Sequence, residues 1–305
     1  MKILIATEKP FAKAAVEGMR TIVEKAGCEL ALLEKYTDKA QLLAAVADAD
    51  GLIVRSDKVT AEVVAHAPKL KIVVRAGAGY DNIDLAACTA QGIVAMNTPG
   101  QNSNAVAELA LGLMVYMARN NFQPGTGTEL KGKTLGIQAY GNVGRLVAKL
   151  AQGFGMRVLA FDPFVAAEKM AAEGVTPVAE IAELYRQSDY VSLHIPANDQ
   201  TKKSINHALM SLLPKGACLV NTARKEIIDE ADLARILDER PDLKYVADVA
   251  PESYAELREK FGARIFATPK KMGAETAEAN INAGLAAASQ AIGYLKEGID
   301  RFRVN

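Results

Sequence analysis

The chain has 305 residues, 36 of them basic and 36 acidic, and half of all residues are hydrophobic. That length supports a sizeable core and is usually divided into two domains, which implies a cleft. A net charge of zero leaves no cationic excess for nucleic acid or an anionic membrane, so a small-molecule partner fits the composition better.

The opening run Met1-Lys2-Ile3-Leu4-Ile5-Ala6 reads as a strand, because it is too short for a signal peptide and no small-residue cleavage site follows. No run approaches membrane-spanning length. Cys28, Cys88 and Cys218 lack CxxC spacing and sit beside apolar residues, which predicts buried thiols rather than a disulfide or metal site. These signs predict a cytoplasmic protein. After the strand at 2–6, a helix at 11–26 precedes strands at 29–33, 51–54, 71–75 and 93–97, an alternation that predicts a parallel sheet with covering helices. A long apolar helix then spans 102–119, and Gln123-Pro124-Gly125-Thr126-Gly127-Thr128 breaks the pattern, so a domain boundary is expected beside that helix. A second series places strands at 134–139, 157–162, 190–193, 218–221, 245–248 and 265–267, six in a Rossmann-like order, before a last helix at 276–296.

The turn after 134–139 reads Ala139-Tyr140-Gly141-Asn142-Val143-Gly144, an AxGxxG run. Gly141 lets the backbone approach a pyrophosphate, and Gly144 lets the helix pack tightly on the strand. The N–H groups that open this helix, at Asn142 and Val143, can hold phosphate at the positive end of the helix dipole. Asp162 ends the next strand, eighteen residues past Gly144, where a carboxylate can accept both adenosine ribose hydroxyls. Pro163-Phe164-Val165 offers no arginine for a 2′-phosphate, which predicts NAD rather than NADP.

Val220-Asn221-Thr222-Ala223-Arg224 is an apolar strand that ends in a lone arginine after two small residues, an arrangement able to aim one guanidinium at a small carboxylate. Arg55, followed by Ser56, and Arg75, followed by Ala76-Gly77-Ala78-Gly79, end two earlier strands. Two arginines and a turn whose amides can reach an anion make more positive charge than one carboxylate requires, and a phosphate would use it.

On these segments the chain resembles the D-2-hydroxyacid dehydrogenases over residues 51–305. The likeness is nearest to the family's phosphoglycerate branch, through Arg55-Ser56, Arg75-Ala76-Gly77, Asp81-Asn82-Ile83-Asp84 and Asn97-Thr98-Pro99-Gly100-Gln101-Asn102-Ser103. The resemblance implies an α/β fold of two Rossmann-like domains with parallel sheets: a flavodoxin-like substrate domain, residues 1–98 plus 275–305, and an NAD-binding domain, residues 99–274. It implies that Arg224 orients the substrate and that Asn102, four residues before Val106, touches it. It sets Ala78, Ile195, Thr222 and Ala223 against NAD and has Asp248 hydrogen-bond the nicotinamide carboxamide.

The family's proton-transfer pair is a glutamate after a DVF segment and a histidine in a PHxGA segment. Here the first reads Asp248-Val249-Ala250-Pro251-Glu252-Ser253, so Glu252 is the candidate, four residues after the aspartate instead of five. The second reads Thr268-Pro269-Lys270-Lys271-Met272-Gly273-Ala274, without a histidine. Aligned from Gly273-Ala274, Lys271 takes its place; aligned from Pro269, Lys270 does. Lys271 is preferred, because small residues passing close to the cofactor are the harder constraint. Such a lysine works only if its pKa falls toward the operating pH. Some short members of the phosphoglycerate branch resemble this chain in carrying lysine there. His66, His194 and His207 are read as structural.

The implied activity is NAD-dependent oxidation of 3-phospho-D-glycerate to 3-phosphohydroxypyruvate, the entry to serine synthesis, by a homodimer paired around the long helix. Alternatives are a reductase of glyoxylate, hydroxypyruvate or D-lactate, and, from a different class, an NAD-sensing binding protein of the corepressor kind. Against the last, the chain has no disordered, charged or Pro-rich tail. The sequence stops at Asn305, so no serine feedback through a C-terminal regulatory domain is expected.

Overall fold

Apolar runs too short to be helices open the chain, and they fold as strands covered on both faces. β1 (Lys2–Thr7), β2 (Glu29–Glu34), β3 (Gly51–Val54), β4 (Ile72–Arg75) and β5 (Val94–Asn97) form a parallel sheet in the order β2-β1-β3-β4-β5, the flavodoxin-like order. Alternation along each strand divides the core: Ile3 and Ile5 pack with Met19, Val23 and Ala287, while Leu4 and Ala6 pack with Leu42, Val46 and Val63. The helix Ala277–Glu297 lies against the helix Lys13–Lys25 and buries Ala279, Ala283, Gly284, Ala287, Ala288 and Ala291, small residues that allow a short interaxial distance. The last residues thus complete the unit that the first ones begin. All 305 residues are described in this computed structural model. They divide into one unit of Met1–Asn102 with Glu275–Asn305 and a second of Ser103–Ala274.

In the second unit β6 (Thr134–Gln138), β7 (Arg157–Phe161), β8 (Thr176–Pro177), β9 (Tyr190–Leu193), β10 (Cys218–Asn221), β11 (Lys244–Ala247) and β12 (Ile265–Ala267) form a parallel sheet ordered β12-β11-β10-β9-β6-β7-β8. Counted within the sheet this is 3-2-1-4-5-6-7, a Rossmann order with one strand added and its switch point between β6 and β9. The six strands expected from sequence become seven. The addition, β8, is two residues long, too short for any periodicity to announce it, and its Pro177 cannot donate to a ladder and so suits an edge. The helix Ser103–Ala118 buries Ala107, Ala110, Met114 and Met117 in the same core as Leu135, Ile137, Val220 and Val246. This packing makes it part of the second unit, and the division falls between Asn102 and Ser103.

Strand register brings distant residues into rank. Gln138 pairs with Leu193, Leu193 with Asn221, Asn221 with Ala247, and Ala247 with Ala267. The residues that follow, Ala139, His194, Thr222, Asp248 and Thr268, therefore stand side by side at the carboxyl edge, where open α/β sheets take ligands. In the first unit Ala6 pairs with Val54, Val54 with Arg75, and Arg75 with Asn97. This sets Arg55 at that sheet's switch point, between β1 and β3.

Candidate active site

The strand β6 ends at Gln138 because Ala139 turns with φ of 77°. An L-residue adopts that left-handed conformation at a cost of about 1–2 kcal/mol, which glycine escapes. We expect Ala139→Gly to stabilise the fold by about 0.5–1 kcal/mol after the extra backbone entropy of glycine is counted; a urea titration showing lower stability would contradict the strain. Beyond it, the Tyr140 N–H donates to Asp162 Oδ2 at 2.7 Å and the Phe164 N–H to Oδ1 at 2.8 Å. Asp162 thereby ties the turn to the end of β7, and each oxygen keeps a further lone pair for a ribose hydroxyl.

Gly141 is the N-cap of the helix Asn142–Gly153, with no side-chain cap, and nothing lies within 4 Å of where its Cβ would stand. This is an open backbone cradle beside the unsatisfied N–H groups of a first helical turn. A Cβ on Gly144 would collide with the Ala139 carbonyl oxygen and lie 3.0 Å from Ile137 Cγ2, so only glycine lets this helix sit on its strand. Thr222, one strand past the switch point, keeps its hydroxyl buried without a hydrogen-bond partner. The open cradle, the uncapped helix and the orphaned hydroxyl all fit a dinucleotide. His194 shares a hydrogen bond with Ser192 Oγ at 2.9 Å. Burial pushes its imidazole down to about 3, so it stays neutral near pH 7 and is no proton acceptor there.

Arg224 follows β10 on a turn that Asn221 holds: its Oδ1 accepts the Ala223 N–H at 3.0 Å and its Nδ2 donates to the Arg224 carbonyl at 2.9 Å. The half-buried guanidinium donates to the Ala223 carbonyl at 2.9 Å, and no carboxylate of its own unit pairs with it. A cation so presented suits a ligand carboxylate.

Asp248 is 1 % exposed, and its carboxylate accepts the Met272 N–H at 2.7 Å on Oδ1 and the Gly273 N–H at 2.8 Å on Oδ2. The Thr268 hydroxyl stands 2.7 Å from the Asp248 carbonyl and 2.8 Å from that of Lys270. These bonds fix the turn that carries Lys270 and Lys271, both exposed. Gly273 is needed for the approach, since a Cβ there would lie 2.8 Å from Asp248 Oδ2 and 3.1 Å from Val106 Cγ2. The aspartate expected at the nicotinamide is thus first an anchor for the lysine turn, with one acceptor site on Oδ2 left for a carboxamide.

Glu252 departs from expectation. Its carboxylate, 80 % exposed, pairs with Lys225 Nζ at 2.9 Å. The cause is Glu230, whose carboxylate accepts the Glu252 N–H at 2.8 Å, the Ser253 N–H at 3.0 Å and the Ser253 hydroxyl at 2.7 Å. With the backbone held there, Glu252 is turned to Lys225 and keeps that ammonium above its ordinary range.

In the first unit Arg55 Nη1 donates to the Lys9 and Pro10 carbonyls, each at 3.2 Å, and Nη2 to Asn280 Oδ1 at 2.6 Å. Arg75 Nε donates to the Arg55 carbonyl at 3.1 Å, which brings both arginines to one group of loops. Asp57, 6 % exposed, accepts the Glu8 N–H at 2.7 Å, the Tyr36 hydroxyl at 2.9 Å and the Arg55 main-chain N–H at 3.3 Å. Asn97 donates to the Ala78 carbonyl at 2.6 Å and steadies the small-residue turn beside exposed Ser56 and buried Gly77. Asn102 ends the first of the two segments that make up this unit and is half-buried. Sequence reading missed Asp57, Asn221, Glu230, Thr268 and Asn280. Asn221 and Thr268 stand at predicted strand ends, a usable signal; Asn280 meets Arg55 from 225 positions away and offers none.

The family model of the D-isomer specific 2-hydroxyacid dehydrogenase NAD binding domain matches residues 106–270. The chain is 38 % identical over 267 residues to the D-3-phosphoglycerate dehydrogenase of Methanocaldococcus jannaschii, covering 83 % of this chain and 51 % of that protein. It is 37 % identical over 283 residues to the hydroxypyruvate reductase of Thermotoga maritima, covering 84 % of this chain and 88 % of that one. The chain spans about half the length of the curated phosphoglycerate dehydrogenases it matches. Among solved structures, NAD+-bound 3-phosphoglycerate dehydrogenase from Entamoeba histolytica is 50 % identical with a TM-score of 0.88, covering 100 % of this chain and 98 % of that one.

Proposed function

The chain belongs to the D-isomer specific 2-hydroxyacid dehydrogenase family, and from that premise we propose that it oxidises 3-phospho-D-glycerate to 3-phosphohydroxypyruvate with NAD, the first step of serine synthesis. The observation that carries this reading is Arg55: a guanidinium at a switch point, oriented by neutral oxygens, in addition to the arginine clamp at Arg224. A simple 2-hydroxy acid has one anionic group, and a phosphorylated one has two.

NAD, when bound, supplies the hydride acceptor. Gly141, Asn142, Val143 and Gly144 hold its pyrophosphate, Asp162 its ribose, and Ala78, Ile195, Thr222, Ala223 and Asp248 the remainder. Arg224 grips the substrate carboxylate and the oxygen that becomes the carbonyl. Lys271 takes the hydroxyl proton at Nζ, a role that needs its neutral form. Asp248 and Thr268, rather than Glu252, keep the lysine turn in position. Arg55 and Arg75 take the phosphate, with Ser56, Gly77 and Asn102 beside the substrate. The reading includes a homodimer paired around Ser103–Ala118, in the cytoplasm, where the buried, unpaired Cys28, Cys88 and Cys218 stay reduced. No helix is long and apolar enough to cross a membrane.

The likeness to a hydroxypyruvate reductase supports a second reading, in which the substrate lacks phosphate. The kcat/KM for 3-phospho-D-glycerate against that for D-glycerate separates the two. A charge-assisted hydrogen bond of about 1.5–3 kcal/mol gives phosphoglycerate an advantage of roughly ten- to a hundredfold, largely lost in Arg75→Ala. Equal efficiencies in the parent enzyme assign it to the reductases. Asp162 also predicts a cofactor preference, NAD over NADP by more than about tenfold, because a carboxylate at the ribose repels a 2′-phosphate. Comparable kinetics with both cofactors contradict that role.

A further inference from the structure

We propose that Asn280 is a specificity-determining positioning residue that holds the Arg55 guanidinium ready for a phosphomonoester, an inference that rests on the reading of the site given above. Asn280 lies in the first turn of the helix Ala277–Glu297, whose N-cap is Thr276. Its Nδ2 donates to the Thr276 carbonyl at 2.8 Å, which fixes the amide plane and turns Oδ1 outward as an acceptor. That oxygen takes Arg55 Nη2 at 2.6 Å.

The other contacts of the guanidinium complete the hold. Nη1 donates to the Lys9 and Pro10 carbonyls, and the group lies 5.3 Å from the centre of the buried Phe11 ring. Every one of these partners is uncharged. From Arg55, the nearby buried carboxylate of Asp57 accepts the main-chain N–H and nothing from the guanidinium, so it shapes the loop without pairing with the side chain. An arginine in ion-pair service meets a carboxylate; this one is oriented at a ligand-binding edge and keeps its charge for an incoming anion. Asn280 is the one side chain among the hydrogen-bond partners of that guanidinium, and so the one that substitution can remove. An aspartate there would keep the shape and sit well near a helix N-terminus, but would place a carboxylate where the phosphate must compete.

The test is steady-state kinetics of Asn280→Asp with 3-phospho-D-glycerate and with D-glycerate, each also in an Arg55→Ala background. The expected result is a KM for phosphoglycerate raised about ten- to a hundredfold, with kcat and the KM for D-glycerate within about twofold. With Arg55 already alanine, the same substitution is expected to add nothing. Asn280→Ala, which removes the acceptor without adding charge, should raise the phosphoglycerate KM by a smaller factor and serves if the aspartate variant folds poorly. Equal losses for both substrates, or an effect that persists without Arg55, overturn the inference while leaving the proposed function standing. A parent enzyme that does not prefer the phosphorylated substrate brings down both.

Discussion

Replacing Lys271 by methionine is expected to lower turnover about 10²–10⁴-fold while leaving NAD affinity almost unchanged, because the variant keeps the apolar stem and deletes only the group proposed to move the proton. The three histidines do not offer a substitute. His194 is neutral and held by Ser192, His66 Nδ1 meets the carbonyl of Glu62, and His207 is engaged by Glu239 at 2.7 Å. A lysine must shed its proton before it can accept one, so oxidation by the parent enzyme should rise with pH well beyond the near-neutral range of an imidazole, and reduction of the keto acid should tolerate lower pH. Lys270→Met is the companion measurement. The turn that carries both lysines is pinned on its far side by Asp248 through Met272 and Gly273, so the two side chains leave it one residue apart and cannot exchange roles freely. Full activity in the Lys271 variant and loss in the Lys270 variant moves the role by one residue; full activity in both removes lysine from the mechanism.

Gly144→Ala should weaken NAD binding by roughly ten- to a hundredfold and lower stability by about 1–3 kcal/mol. The added methyl has nowhere to go: the Ala139 carbonyl oxygen stands in its place, Ile137 Cγ2 is 3.0 Å away, and Ala139 is already in a strained conformation. Relief requires the helix Asn142–Gly153 to lift from β6, which moves the first-turn N–H groups from the position where a pyrophosphate meets them. The chain has no tryptophan to report binding, so isothermal calorimetry with NAD, alongside thermal unfolding, is the suitable measurement. Affinity equal to that of the parent protein would mean that the pyrophosphate is held elsewhere.

Much of the architecture follows from contiguous residues. Ile3-Leu4-Ile5-Ala6 and Cys218-Leu219-Val220 are continuous apolar runs, and such runs separated by amphipathic helices specify parallel strands covered on both faces, because each side chain carries its own burial preference. The AxGxxG turn, with Asp162 at the next strand end, is equally local: its chemistry resides in which residues lack a side chain and which ends in a carboxylate. The positions of Arg55, Arg75 and Arg224 at strand ends were legible for the same reason. What the side chains hold was decided by the tertiary structure. β8 has two residues and exists because an edge was available beside β7. Asp248 meets Met272 and Gly273 because the register of β11 and β12 sets their following loops side by side. Glu252 meets Lys225 rather than the lysine turn because Glu230, 22 positions earlier, holds its backbone. Hydrogen-bond partners depend on which strand ends are brought into rank, and that depends on the packing of both sheet faces at once, a property no local stretch of sequence contains.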